Sequence, residues 1–183
     1  MTLLAALIAA IAAMGSLVVN VLVAGHRERR DVHRKAVEKE LPDLADALHQ
    51  VVATSYTQHR QLSLAKTDSA ANWRKRGRDA ALLLGKVRPR VRYSLPGADL
   101  GLRNLARLPD WVAHHGGRPE GQALLDQADS LATALHELIA QSWRDGQPPP
   151  AKQRRRIETL VDNLREYATI GARNQTIAEE PEE

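Results

Sequence analysis

Hydrophobic and polar positions divide this chain into one uncharged opening and a series of helical stripes. Residues 2–25, TLLAALIAAIAAMGSLVVNVLVAG, contain no Asp, Glu, Lys or Arg, and every charged side chain of the protein follows them. As a helix rising about 1.5 Å per residue, such a run spans a hydrocarbon core of roughly 30 Å. The pattern predicts a membrane-spanning helix over 1–25. Cations crowd its C-terminal flank: Arg27, Arg29, Arg30, Arg34 and Lys35. Lys and Arg close to a membrane mark the cytoplasmic side, so the N-terminus is expected outside and the rest of the chain in the cytoplasm. A cleaved signal peptide is the rival reading. Val23-Ala24-Gly25 resembles a weak cleavage site, but the basic residues that open a signal peptide are missing and the apolar run is long.

At 100° per residue, the small or polar residues Ala5, Ala9, Ala12, Ala13, Ser16 and Asn20 share one face of that helix. Leu3, Leu7, Ile11, Met14, Val18 and Val21 lie roughly opposite. Small residues let backbones approach in lipid, and Ser or Asn can hydrogen-bond across the contact. The face is a candidate for helix–helix packing, including self-association. An alanine-rich anchor with chance clustering explains it equally well.

Downstream the pattern is amphipathic. A basic juxtamembrane helix over 26–41 carries Val32, Ala36, Val37 and Leu41 at helical spacing. Pro42 is placed to begin or kink a helix, and Leu44, Ala45, Leu48, Val51, Val52, Tyr56 and Leu62 predict one from Asp43 to Ala65. Asp68 or Ser69 is the expected N-cap of the next, with the stripe Ala70, Trp73, Gly77, Ala80, Ala81, Leu84 and Val87. Gly85 to Pro89 is the expected break. If the chain beyond is extended, Lys86, Arg88, Arg90 and Arg92 share one face. Pro96-Gly97 marks a turn over Ser94 to Ala98. Leu100, Leu102, Leu105, Leu108, Trp111 and Val112, interrupted by Pro109, predict one or two short helices ended by Gly116-Gly117. Pro119-Glu120 opens a longer one with Leu124, Ala128, Leu131, Leu135, Leu138, Ile139 and Trp143, closed by Gly146. A proline linker, 147–150, leads to the last stripe: Ile157, Leu160, Val161, Leu164, Tyr167 and Ala168. Fraying is expected after Gly171. The reading is all-α: a single N-terminal transmembrane helix (1–25), a basic segment (26–41), an antiparallel helical bundle (42–173) and an acidic disordered tail (174–183).

Composition narrows the chemistry. Cysteine and phenylalanine are absent and aromatics make up 3%, so the core must be Leu, Val, Ile and Ala. There is no disulfide, thiol nucleophile or Cys-ligated metal. Abundant Ala and Arg suit a high-GC bacterial or phage genome. Net charge is +4, but Glu179, Glu180, Glu182 and Glu183 close the chain. The remaining 18 acidic residues face 26 Lys and Arg, a body of +8 fitted to an anionic partner.

No catalytic motif stands out. His136-Glu137 begins like HExxH, but Ala140 replaces the second ligand. Asp46, His49 and His59 lie along one helix and are the weak candidate for a metal-dependent enzyme; polar residues beside a buried stripe are the simpler reading. His114-His115 suits a helix C-terminus, where cations are favourable. No P-loop, GxGxxG or GxSxG occurs. No cofactor is implied. Beyond the juxtamembrane cations, which suit anionic headgroups, the basic clusters are Arg74, Lys75, Arg76 and Arg78; Lys86 to Arg92; and Arg154, Arg155 and Arg156. They are solvated helix faces or contacts to lipid, nucleic acid or an acidic protein. Only Trp73 and Tyr93 lie close enough to these clusters to stack on bases, which weakens the nucleic-acid reading. The leading expectation is a non-enzymatic, membrane-anchored scaffold that holds a membrane or cytoplasmic protein at the inner membrane face. The alternative is a tethered binder of nucleic acid or anionic lipid.

Overall fold

The computed structural model describes residues 40–145 and 148–179, apart from the side chains of 87–94, 96 and 171–179. The predicted anchor, its packing face and the cations Arg27, Arg29, Arg30, Arg34 and Lys35 lie outside the described residues. Among the described residues no helix is long and apolar enough to cross a membrane.

Six helices and no strands occur in the described chain: α1 (residues 40–63), α2 (Thr67–Ser94), α3 (Pro96–Ala106), α4 (Leu108–His115), α5 (Pro119–Asp145) and α6 (Ala151–Glu179). Each buries the stripe its spacing predicts. Leu44, Leu48, Val51 and Val52 of α1, Leu84 of α2, Leu102 and Leu105 of α3, and Val112 of α4 join α5 in one core, α2 packing on α3 and α4. All seven predicted apolar positions of α5 are buried, from Leu124 to Trp143. Ile157, Val161 and Leu164 close the core from α6. Burying each leucine stabilises the fold by about 2 kcal/mol relative to leaving it in water.

Side-chain pairs fix the direction of the helices. Tyr56 Oη donates to Asp126 at 2.8 Å, and Ser63 Oγ donates to the Gly117 carbonyl at 3.0 Å. As α1 advances, its partners retreat along the chain, so α1 and α5 are antiparallel. Gln153 Nε2 donates to Gln141 Oε1 at 2.7 Å, and Arg156 lies 3.8 Å from Glu137, so α5 and α6 are antiparallel too. Gly77 of α2 sits against Thr54 of α1 and Pro109 of α4, where no larger side chain would leave room for this approach. The bundle is the expected antiparallel one.

Four local expectations are corrected. First, α2 does not break at Gly85 to Pro89 but runs to Ser94. Pro89 leaves the Gly85 carbonyl without its helical donor, but Gly85 is exposed with nothing near it, so water can serve that carbonyl. The extended stripe is overturned with the break: on a helix, positions 86 and 90 fall on one side and 88 and 92 nearly opposite. Second, the turn expected over Ser94 to Ala98 contracts to Leu95. Pro96 fits the first turn of α3, where its missing N–H has no partner to lose. Third, α2 begins at Thr67, ahead of the predicted caps Asp68 and Ser69. Fourth, the tail expected to be disordered from Asn174 stays helical through Glu179. A single helical glycine, Gly171, costs only about 1 kcal/mol, too little to end α6 by itself.

Asp110, in the first turn of α4, accepts from Arg74 Nε at 2.9 Å and from Arg78 Nη2 at 2.6 Å. Partial burial pushes its carboxyl pKa up, but the two guanidinium groups outweigh this and hold it below the ordinary 3.8. The pairing therefore contributes stability above that value and loses it as pH falls further. All three side chains are at least a third exposed. Asp110→Asn is expected to cost only about 0.5–1 kcal/mol, read as a small shift in urea midpoint at neutral pH.

Candidate functional site

Two features of the bundle carry polar chemistry: a buried seam at one end and an exposed basic surface at the other. The seam follows from the polar residues within α1. Ser55, Gln58 and His59 occupy the buried face between Val52 and Leu62. Gln58 Nε2 donates to the Pro109 carbonyl at 2.9 Å, and His59 Nε2 donates to the Arg118 carbonyl at 2.9 Å. Gly121, in the first turns of α5, lets the His59 ring approach so closely that an added Cβ would lie 2.6 Å from it. The same Cβ would lie 3.2 Å from that of His115, so the two histidines flank one glycine.

His115 is 1% exposed. Burial holds its pKa below the ordinary 6.5; the Glu120 charge and the Tyr167 backbone push it up, while His59 and His114 push it down. Ser55 Oγ, Gln58 Oε1, His115 Nε2 and Glu120 Oε2 are buried without a hydrogen-bond partner. An unmade bond of this kind costs about 1–3 kcal/mol. The seam is a polar knot at the meeting of α1, α4 and α5, with the chemistry of a proton-sensitive contact.

This arrangement corrects the expectation that His114-His115 are a pair of helix-end cations. His114 is exposed, its Nδ1 donating to the Asp110 carbonyl at 2.7 Å, whereas His115 turns inward. The metal candidates are not brought together. Asp46 and His49 are exposed, His59 is buried and committed to Arg118, and no group of three potential ligands occurs among the described residues. Gln58, Ser55 and Glu120 escaped sequence reasoning. The available signal was a polar i, i+3, i+4 set on an otherwise apolar face.

The basic clusters are sorted by the fold. Arg74 and Arg78 are tied to Asp110, while the Arg76 guanidinium lies 4.6 Å from the centre of the Trp73 ring. That cluster is therefore partly internal bracing. Lys75 remains exposed. Arg154, Arg155 and Arg156 are exposed at the start of α6, as are Lys152 and Lys86. Near them lies a cavity of about 280 Å³ between Leu95, Ala98, Leu138, Ile157 and the Pro148-Pro149 pair, with Arg154 and Glu158 also in its wall. Arg88, Arg90 and Arg92 continue α2 past Lys86.

No protein-family model, curated protein sequence or solved structure matches the chain.

Proposed function

We propose that the protein is a non-enzymatic, single-pass membrane protein whose helical bundle is a scaffold, holding a protein partner at the cytoplasmic membrane face. The observation that carries this reading is the uncharged run of residues 2–25, followed at once by Arg27, Arg29, Arg30, Arg34 and Lys35. Residues 26–39 link that run to the first described residue of α1, so the anchor holds the bundle close to the bilayer. The small-residue face, from Ala5 to Asn20, provides for lateral pairing with a second copy or another membrane helix.

A reporter fused after Glu183 tests the topology. Cytoplasmic reporter activity is expected, with the protein resisting extraction by alkaline carbonate. Activity of a reporter that works only outside the cytoplasm would sink the orientation, and release by carbonate would sink the anchor.

The alternative, a tethered binder of anionic lipid or nucleic acid, is favoured by the exposed Arg154, Arg155 and Arg156 cluster.

A further inference from the structure

The basic clusters are distant in sequence, but the topology places two of them at one end of the bundle. The α1–α5 pairs Ser63–Gly117 and Tyr56–Asp126 set the register, so residue 40 lies beside the C-terminal part of α5, near Gln141. Gln153 is bonded to Gln141, which puts the start of α6 at that end. Leu95, Leu138 and Ile157 line one cavity, which places the C-terminal end of α2 and the start of α3 there as well. Lys86, Arg144, Lys152, Arg154, Arg155 and Arg156 are all exposed on this end or its flank. The α2 backbone brings positions 88, 90 and 92 to the same place. The acidic residues there are Glu40, Asp43, Asp145 and Glu158, with Glu137 beside Arg156 and Asp99 bonded to Arg103. Cations prevail. The opposite end holds the Gly116-Gly117 turn with the exposed cations Arg60, Lys66 and Arg118, and α6 reaches Glu179 on that side.

We propose that this basic end is a docking surface for anionic phospholipid, so that the anchored bundle stands end-on upon the membrane with its Gly116-Gly117 end pointing away. The inference rests on the anchored reading and adds an orientation to it. Three observations favour lipid as the occupant. The end is where the chain enters from residues 26–39, which themselves carry juxtamembrane cations. Its charge is complementary to phosphate headgroups, each basic residue strengthening attachment to an anionic surface by about fivefold. The cavity beside Arg154, walled by Leu95, Leu138 and Ile157, sets apolar surface next to the cations, and headgroup and acyl chain make those two kinds of contact. Stacking aromatics, which single-stranded nucleic acid would use, are sparse there: Trp143 is buried, and Tyr93 is the other aromatic position on this end.

The absence of cysteine makes the test direct. The full chain carrying Ala151→Cys, at the basic end, or Lys66→Cys, at the other, is labelled with a fluorophore. It is reconstituted into vesicles of phosphatidylcholine alone or with a quarter phosphatidylglycerol, each holding a headgroup quencher. Quenching at position 151 is expected to rise at least about threefold with phosphatidylglycerol and to fall steeply with salt. Position 66 is expected to stay unquenched in both. Lys152→Glu with Arg154→Glu and Arg155→Glu, all solvent-facing changes, is expected to abolish the rise while leaving the helical circular dichroism intact. Equal quenching in both lipids, or equal quenching at the two positions, overturns the proposal. So does release of position 151 from phosphatidylglycerol vesicles by duplex DNA, which would make nucleic acid the occupant. Flotation with the vesicles after carbonate reports the anchor separately. Protein that washes off yet shows the phosphatidylglycerol-dependent signal refutes the anchored reading and upholds the docking surface.

Discussion

Gly117→Ala is expected to unfold the bundle at temperatures the native protein tolerates. Gly117 adopts φ +80°, a region that side chains with a Cβ rarely enter. Its missing side chain also makes room for α1: an added Cβ would lie 2.5 Å from Ser63 N and 2.6 Å from the Leu62 carbonyl carbon. Both obstacles are backbone atoms and cannot rotate away. Backbone strain of about 1–3 kcal/mol adds to an overpacking cost of similar size. The sum, about 3–5 kcal/mol, corresponds to a fall of roughly 10 °C or more in Tm for a chain of this size. Gly116 is the control. It is also left-handed, at φ +58°, but an added Cβ would meet nothing within 4 Å. Gly116→Ala is expected to cost only about 1–2 kcal/mol. Thermal melts of the full-length variants followed by circular dichroism check both, and equal losses would show that the close approach to Ser63 does not matter.

The stability of the bundle is expected to fall as pH drops through the ordinary histidine range, and His115 is the reason. Its folded pKa lies below the unfolded value of 6.5. Above 6.5 the ring is neutral in both states and costs nothing. Below it the unfolded chain binds a proton that the folded chain refuses, so stability declines as pH falls. At its steepest this amounts to about 1.4 kcal/mol per pH unit, continuing until the depressed folded pKa is passed. The groups facing the ring are Glu120, His59 and the Tyr167 backbone, with His114 on its own helix. His115→Leu keeps the volume near constant and removes a buried nitrogen that has no partner, a gain that offsets the lost bond to the Tyr167 backbone. The variant is expected to flatten the pH dependence in urea titrations between about pH 7 and pH 5, with little loss at neutral pH. His114→Gln, at an exposed site, is expected to leave the slope unchanged. A slope that survives in His115→Leu would place the proton elsewhere in the seam.

Failure at Gly117 and pH sensitivity at His115 arise at the same corner, where the α4–α5 turn presses on α1. That end lies away from the basic surface.

The sequence by itself determined the helices and their buried faces. Leu124, Leu131, Leu135 and Ile139 are interior because their spacing leaves one apolar stripe, and a stripe has one way to escape water. Pro119 marked a helix start because proline loses nothing in a first turn, and Pro109, which interrupts the preceding stripe, takes the same place in α4. The same local logic failed at Pro89 and Gly171, where the cost of breaking the helical pattern is small and solvent or the rest of the helix absorbs it. Tertiary structure alone decided the sites. Whether a histidine is exposed or buried depends on which elements pack over it: His115 faces His59 of α1 and the Tyr167 backbone of α6, while His114 stays in solvent. Whether arginines form a patch or a brace depends on a distant carboxylate, and Asp110 reaches Arg74 and Arg78. The placing of Lys86, Arg144 and Arg154 on one end follows from antiparallel register. Register is set by contacts between residues far apart in sequence, which the periodicity within any one helix does not encode.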